Sequence, residues 1–337
     1  MRSEQRPRAV TMADVAERAG VSRALVSIVF RGVPGASPET RQRVMEAAEE
    51  LAYRPDQRAR LLGRSRSRTV GVVFGLHHEF HAEVVEDLYR SIESTGYDLV
   101  LGASAPSRGE RRAAQSALDY RCEALILVGP TLPRAAIEEL AERLPVVVVA
   151  RALRSRAVDV VRTDDVAGAR LAVEHLAGLG HRSIAHVHGG RAPGAAERRR
   201  GYRTAMRELG LDAGAREILG GLGEEDGERA AASLVGDTAA TAVTAFNDHC
   251  AAGLLFELRA RGARVPGRLS VVGYDDSHIA GLSSVALTTV AQDSAALASS
   301  ALELAVTRVE AGPEGPLPTE VVVPPRLVVR TTTAPLD

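Results

Sequence analysis

The side chains best placed for chemistry fall at the ends of short apolar runs. His77, His78, Glu79 and Phe80 follow the run at 69–75, and Arg151 follows the run at 145–150. Arg162, Thr163, Asp164 and Asp165 follow the next extended stretch, and Arg198, Arg199 and Arg200 lead into Gly201-Tyr202. Asn247 and Asp248 close AVTAF, Asp275 and Asp276 close LSVVGYDD, and Gln292 and Asp293 close LTTVAQD. Ligands of open α/β sheets sit at the carboxyl ends of strands, so these groups are expected to converge on a cleft. Catalysis there would need a nucleophile beside a base, or paired carboxylates. Asp275 and Asp276 are adjacent and would point to opposite sides of an extended chain. His77 and His78 invite a metal, but no carboxylate–histidine spacing supports one. Cys122 and Cys250 form neither a disulfide framework nor a CxxC site and read as buried small apolar residues. No GxGxxG opens a helix after the first run, and a chain without Lys has no P-loop lysine. The expectation is a binding cleft with no catalytic residue, no metal and no cofactor.

A second constellation lies near the N-terminus. Thr11 is an N-cap with Asp14 three residues on, Gly20 supplies a C-terminal turn, and Ser22 caps the next helix. Two helices joined by such a tight turn form a helix-turn-helix. Val26, Val29 and Phe30 share the inward face of the second helix. Arg23, Ala24, Ser27, Ile28 and Arg31 fall on the outer face, the one that enters a major groove. A third helix starts at Ser37-Pro38, with Val44, Ala48 and Leu51 as its buried stripe.

Composition agrees once it is divided. All 42 basic residues are Arg, and the formal net charge of -1 taken alone argues against nucleic acid. Residues 1–68 hold 14 Arg against 8 acids, and residues 69–337 hold 28 Arg against 35. A head of net +6 thus sits on a body of net -7, the asymmetry of a nucleic-acid-binding end. The body alternates β-branched runs with helical stretches, the pattern of parallel sheets covered on both faces. Its length favours two lobes over one sheet. The Arg-rich N-terminus has no apolar stretch behind it, and no run approaches the roughly 18 apolar residues of a membrane span. The expected location is the cytoplasm.

The strings TMADVAERAGVS, GVPGASPETRQRV and YRPDxxARxL resemble the LacI/GalR family of bacterial transcription regulators. VEHLAGLGHRSIAHV, RRRGYRTAMRELGL, FNDHCAAG, VPGRLSVVGYDD, LTTVAQD and LVVRTTT extend the resemblance to the C-terminus. It implies an N-terminal all-α helix-turn-helix domain (1–54), a hinge helix and linker (55–68) and an α/β effector domain (69–337). That domain would be two-lobed, periplasmic-binding-protein-like and built on doubly wound parallel sheets. Lobe 1 would hold about 69–161 and 294–322, and lobe 2 about 162–293 and 323–337. The DNA-facing set is then Thr11, Ser22, Arg23, Ala24, Ser27, Ile28, Arg31 and Tyr53, with Ala59, Arg60 and Leu62 of the hinge. Leu62 would wedge into the central base step of a near-palindromic operator, with Ala59 against the hinge of a dimer partner. The resemblance assigns Arg198 and Asp275 to the effector, with Asn247, Gln292 and His78, Glu79 and Phe80 lining the pocket. An Asp and an Arg bracketing vicinal hydroxyls suit a sugar.

Departures from the family pattern sharpen two expectations. Ile28 stands where an Arg is frequent. Arg23 can pair with a guanine while Ile28 meets only a thymine methyl, so an unusual half-site is expected. Ala150-Arg151 replaces an aspartate-containing loop, and Phe80 is the sole ring in a segment usually richer in aromatics. A charged, less aromatic pocket suits a phosphorylated or acidic sugar, with Arg151 and His81 as its first cationic candidates. The sequence therefore reads as a dimeric, operator-binding regulator, with repression the expected direction, whose DNA affinity responds to a small carbohydrate. The alternatives are a sugar-binding receptor with no regulatory role and a regulator that responds to something other than a sugar.

Overall fold

The computed structural model describes residues 10–53, 66–236, 240–312 and 315–336. The chain divides into two compact units, Met1–Ser67 and Arg68–Asp337.

Helices α1 (Met12–Ala19), α2 (Arg23–Arg31) and α3 (Pro38–Glu50) build the first unit. The Thr11 hydroxyl accepts from the Asp14 N–H, and the Asp14 carboxylate accepts from the Thr11 N–H at 2.7 Å. This reciprocal cap satisfies donors that a helix start leaves open. Gly20 ends α1 at φ 63°, where a residue with a Cβ is penalised by about 1–2 kcal/mol. The Val21 N–H then reaches back to the Ala16 carbonyl at 3.0 Å, which fixes the turn into α2. Ser22 and Ser37 cap α2 and α3, with Pro38 in the first helical turn. Val15, Val26 and Val44 are fully buried at the centre, and Val29, Ala47 and Ala48 complete the core. Phe30 and Tyr53 close its edge with ring centroids 5.6 Å apart, and Leu51 packs at the margin.

The second unit holds two six-stranded sheets. The first contains β1 (Thr69–Gly75), β2 (Asp98–Ser104), β3 (Ala124–Val128), β4 (Val146–Val149), β5 (Asp159–Thr163) and β11 (Glu320–Val323). Its order is β11-β5-β4-β3-β1-β2, and every pairing is parallel. The second contains β6 (Ile184–His188), β7 (Ala215–Leu219), β8 (Ala242–Ala245), β9 (Ser270–Asp275), β10 (Thr288–Ala291) and β12 (Arg326–Val328). Its order is β12-β10-β9-β8-β6-β7, with only β12 antiparallel. The interleaved helices are α4 (Glu79–Ile92), α5 (Glu110–Asp119), α6 (Arg134–Ala141), α7 (Asp165–Gly178), α8 (Ala195–Glu208), α9 (Glu224–Gly236), α10 (Asp248–Ala260), α11 (His278–Gly281) and α12 (Ser294–Ala311).

Burial on both faces explains the unbroken apolar runs. Along β3, Ala124, Ile126 and Val128 pack with α4 and α12, while Leu125 and Leu127 pack with α5 and α6. The chain crosses between lobes after β5, after β10 and between β11 and β12. The expected changeover at 161–162 falls inside β5. Strand β7 escaped the sequence reading because it is a half-exposed edge in which Arg216 and Glu217 interrupt the apolar residues.

Gly201 sets how closely α7 and α8 approach. A Cβ there would lie 2.4 Å from the Val166 carbonyl oxygen and 2.9 Å from Ala169 Cβ. Gly201→Ala is expected to destabilise the second unit by about 1–3 kcal/mol, because the backbone must yield. Thermal unfolding should show its midpoint fall by about 3–10 °C. An unchanged midpoint would mean that the two helices are not tightly apposed.

Candidate functional site

The strand ends open into a cavity of about 510 Å³ whose walls come from both lobes. His78, Glu79, Phe80, Arg198, Asn247, Asp275 and Gln292 all line it.

Each is fixed by the element that carries it. Arg198 lies in the first turn of α8, after Gly194 at φ 79°. Its Nε donates to Asp165 Oδ1 at 2.8 Å, and its Nη1 donates to the Phe246 carbonyl at 2.6 Å. Asp275 Oδ1 lies 3.5 Å from Nη1. The guanidinium is sandwiched over the rings of Tyr274 (3.5 Å) and Phe246 (4.7 Å). Burial opposes its charge, but Asp165, Tyr274 and Asp275 outweigh burial and raise its pKa, so it is a permanent cation. Asn247 caps α10 by accepting from the Cys250 N–H, and its amide donates to the Leu222 carbonyl at 2.9 Å. Gln292, one residue beyond β10, donates to Asp275 Oδ1 at 2.8 Å.

Asp275 and Asp276 diverge for a different reason from the one expected. Neither is extended at φ: the values are 114° and 60°, sparsely populated for residues with a side chain. Asp275 faces Arg198 and the cavity, while Asp276 accepts from Arg330 at 2.7 Å. Burial raises the Asp275 pKa to about 6, against the pull of Arg198 and the Gln292 hydrogen bond. The attraction does not win, because Arg198 spends its shortest carboxylate contact on Asp165. Beneath them Asp248 is fully buried and accepts from the Ser277 N–H at 2.8 Å and the Thr289 hydroxyl at 2.5 Å. Burial and the neighbouring Asp275 raise its pKa well above the carboxylate range.

The first lobe supplies a histidine-rich wall. His81 Nδ1 accepts from the Gly75 N–H at 3.1 Å, and burial holds its pKa down at about 3, so it is neutral. Burial lowers His78 as well. His249, on α10, spans the cleft: Nδ1 meets Glu224 of its own lobe at 2.6 Å and Nε2 meets Glu79 of the other at 3.0 Å. Burial works against its charge, but the two carboxylates raise its pKa.

Two expectations change. Arg151 is not part of the cavity lining; its Nη1 donates to the carbonyls of Pro130 (2.8 Å) and Leu132 (2.6 Å). His81 does line the cavity, but as a neutral acceptor rather than a cation. Neither offers charge to an acidic ligand. Reasoning from sequence placed Asp165 among the groups at the cleft but left out Tyr274, Phe246, Glu110, Glu224 and His249 as parts of the site. Asp165 and Tyr274 stood at strand ends in plain view, yet only the fold shows that both touch Arg198. Among the described residues no group of three or more His, Cys, Asp or Glu is placed to hold a metal.

In the first unit, Ser22, Arg23 and Ala24 are exposed on the outer face of α2, and Ser27 and Ile28 are half-buried. Ile28 Cγ2 would lie 3.4 Å from a Cβ placed on Gly35, so the loop after α2 covers part of it. Thr11 and Tyr53 have structural work as cap and core edge. The Arg31 side chain and all of Ala59, Arg60 and Leu62 lie outside the described residues.

Taken together, the two units define a helix-turn-helix reader joined in one chain to a two-lobed binding domain. The pattern described as bacterial regulatory proteins, lacI family, matches residues 11–56, and the periplasmic binding protein-like domain matches residues 173–333. The HTH-type transcriptional regulator GalR of Escherichia coli is 34% identical over 302 residues, covering 88% of each chain. A lac repressor dimer bound to operator and the anti-inducer ONPF superposes with a TM-score of 0.83 at 26% identity, over 97% of this chain and 100% of that one. A complex of the transcriptional regulator CelR with cellobiose gives 0.69 at 28% identity, over 96% and 99%. The chain belongs to the lacI family of bacterial transcriptional regulators. No described helix is long and apolar enough to cross a membrane.

Proposed function

We propose that this DNA-binding regulator acts as a homodimer on a near-palindromic operator, and that a polyhydroxylated small molecule in the interlobe cavity sets its DNA affinity. The observation that carries this reading is the convergence of Arg198, Asp275, Asn247 and Gln292 on one cavity walled by both lobes. A ligand that touches both lobes can favour one lobe arrangement over another, and only such differential binding shifts an equilibrium. The cellobiose complex of a relative supports a carbohydrate. The expected place of action is the cytoplasm, with no chemical turnover of the ligand.

The test is a thermal-shift panel of neutral mono- and disaccharides, with each hit added to a fluorescence-anisotropy titration of operator DNA. The reading requires a hit that changes operator affinity and is lost in Asp275→Asn. A hit indifferent to that change would remove the cavity as its site.

The Asp275 carboxylate gives the binding a pH dependence. The ionised form accepts at both oxygens, whereas protonation turns one of them into a donor. Effector affinity is therefore expected to fall by up to about tenfold per pH unit as pH drops below about 6. Stability without effector runs the other way. The folded pKa of about 6 exceeds the unfolded value near 3.8, so this carboxyl contributes stability in full below 3.8 and loses it as pH rises through 6. Calorimetric titration at several pH values separates the two effects.

A further inference from the structure

The interlobe cavity has charged walls of one prevailing sign, and this narrows the ligand. Its cations are already engaged. Arg198 is held by Asp165, the Phe246 carbonyl and Asp275, and His249 is held between Glu79 and Glu224. Arg151 is turned onto the Pro130 and Leu132 carbonyls. His81 is buried and neutral. Against Arg198 and His249 the lining sets four carboxylates: Glu79, Glu110, Glu224 and Asp275. Glu110 is steadied by neutral donors only, the Thr131 N–H and hydroxyl and the Leu132 N–H, at 2.8–3.0 Å. Glu79 and Glu224 share one imidazole, and each spends a single oxygen on it. A concave site lined by one sign of charge concentrates ligands of the opposite sign and repels those of its own.

We infer that the effector is an amine-bearing polyol, an amino-sugar-class cation, whose ammonium is received by Glu79 and Glu224 beside His249 while its hydroxyls meet Asp275, Arg198, Asn247 and Gln292. This rests on the cavity being the effector site. It replaces the acidic or phosphorylated sugar suggested by the charged residues in the sequence. Glu79 and Glu224 belong to opposite lobes, and each keeps one oxygen not spent on His249, so an ammonium received there bridges the cleft alongside the ring.

The experiment titrates the full-length protein calorimetrically with charge-matched series. These are glucose, galactose, mannose and the β-1,4 glucose dimer, each beside its 2-amino and its uronic form. The amine form is expected to bind at least about tenfold tighter than its neutral parent at low salt, and the advantage should shrink several-fold at about 0.5 M salt. The uronic forms should not bind. Glu224→Gln should narrow the ratio of amine to neutral affinity by at least about threefold, whatever it does to either affinity alone. A neutral or uronic form that binds as well as its amine overturns the inference and leaves the sugar site standing. Absence of binding by every form here and by every sugar of the neutral panel overturns both.

Discussion

Arg198→Ala is expected to cost the effector domain about 3–5 kcal/mol and to abolish the operator response to any effector. The side chain is 7% exposed and the Asp165 side chain facing it only 4%, so truncation strands a buried carboxylate. It also removes the donor to the Phe246 carbonyl and the plate between the Tyr274 and Phe246 rings. Most of the loss is the cost of an uncompensated charge, not the worth of the pair. The double variant Arg198→Ala/Asp165→Ala should therefore recover at least about 1 kcal/mol of the single variant's loss, although it removes more of the site. Denaturant unfolding of the three proteins measures this directly. A single variant as stable as the parent, or a double variant that only adds to the damage, would show that the Arg198–Asp165 contact is not a buried pair.

Arg23→Ala should weaken operator binding by about 1–3 kcal/mol per half-site, and so by about 2–6 kcal/mol for a dimer that engages two. Arg23 is exposed at the start of α2, so the helical unit should fold unchanged. The measurement is anisotropy on an operator selected from random DNA, repeated across salt concentrations. Loss of preference for one base pair with an unchanged salt slope identifies a base contact. A uniform loss with a shallower slope identifies a phosphate contact and removes Arg23 from the readers. Ile28 offers a complementary check. Its apolar side chain, partly covered by the loop at Gly35, can meet a thymine methyl but cannot pair with guanine. Ile28→Arg should therefore change the selected base at its position.

Local signals made the N-terminal unit readable almost residue by residue. The Thr11–Asp14 cap, the Gly20 turn, the Ser22 cap and the Ser37-Pro38 start all act within three or four residues, so sequence spacing and spatial contact coincide. The strands of the second unit were legible for a related reason. A strand covered on both faces has to be apolar almost throughout, and β1, β3 and β4 are. Where cover was incomplete the signal vanished, as at β7. The list of groups at strand ends was also legible, because the parallel topology brings those ends to one side.

Sequence by itself thus determined most of the order of elements, the split of charge between a basic head and an acidic body, and part of the cleft's polar lining, Arg198, Asn247, Asp275 and Gln292 among it. Only the tertiary structure decided which of those groups are spent on one another. Arg151 and Arg198 are the same residue type, one just beyond β4 and the other in the first turn of α8. One is turned onto two carbonyls outside the cavity, and the other is buried between two rings and two carboxylates. His81 and His249 are likewise the same type, one neutral through burial and the other favoured as a cation by Glu79 and Glu224. The physical reason is that charge state and pairing depend on neighbours within a few ångströms. In a two-lobed domain with three crossings those neighbours can lie far apart in the chain, 170 residues for Glu79 and His249.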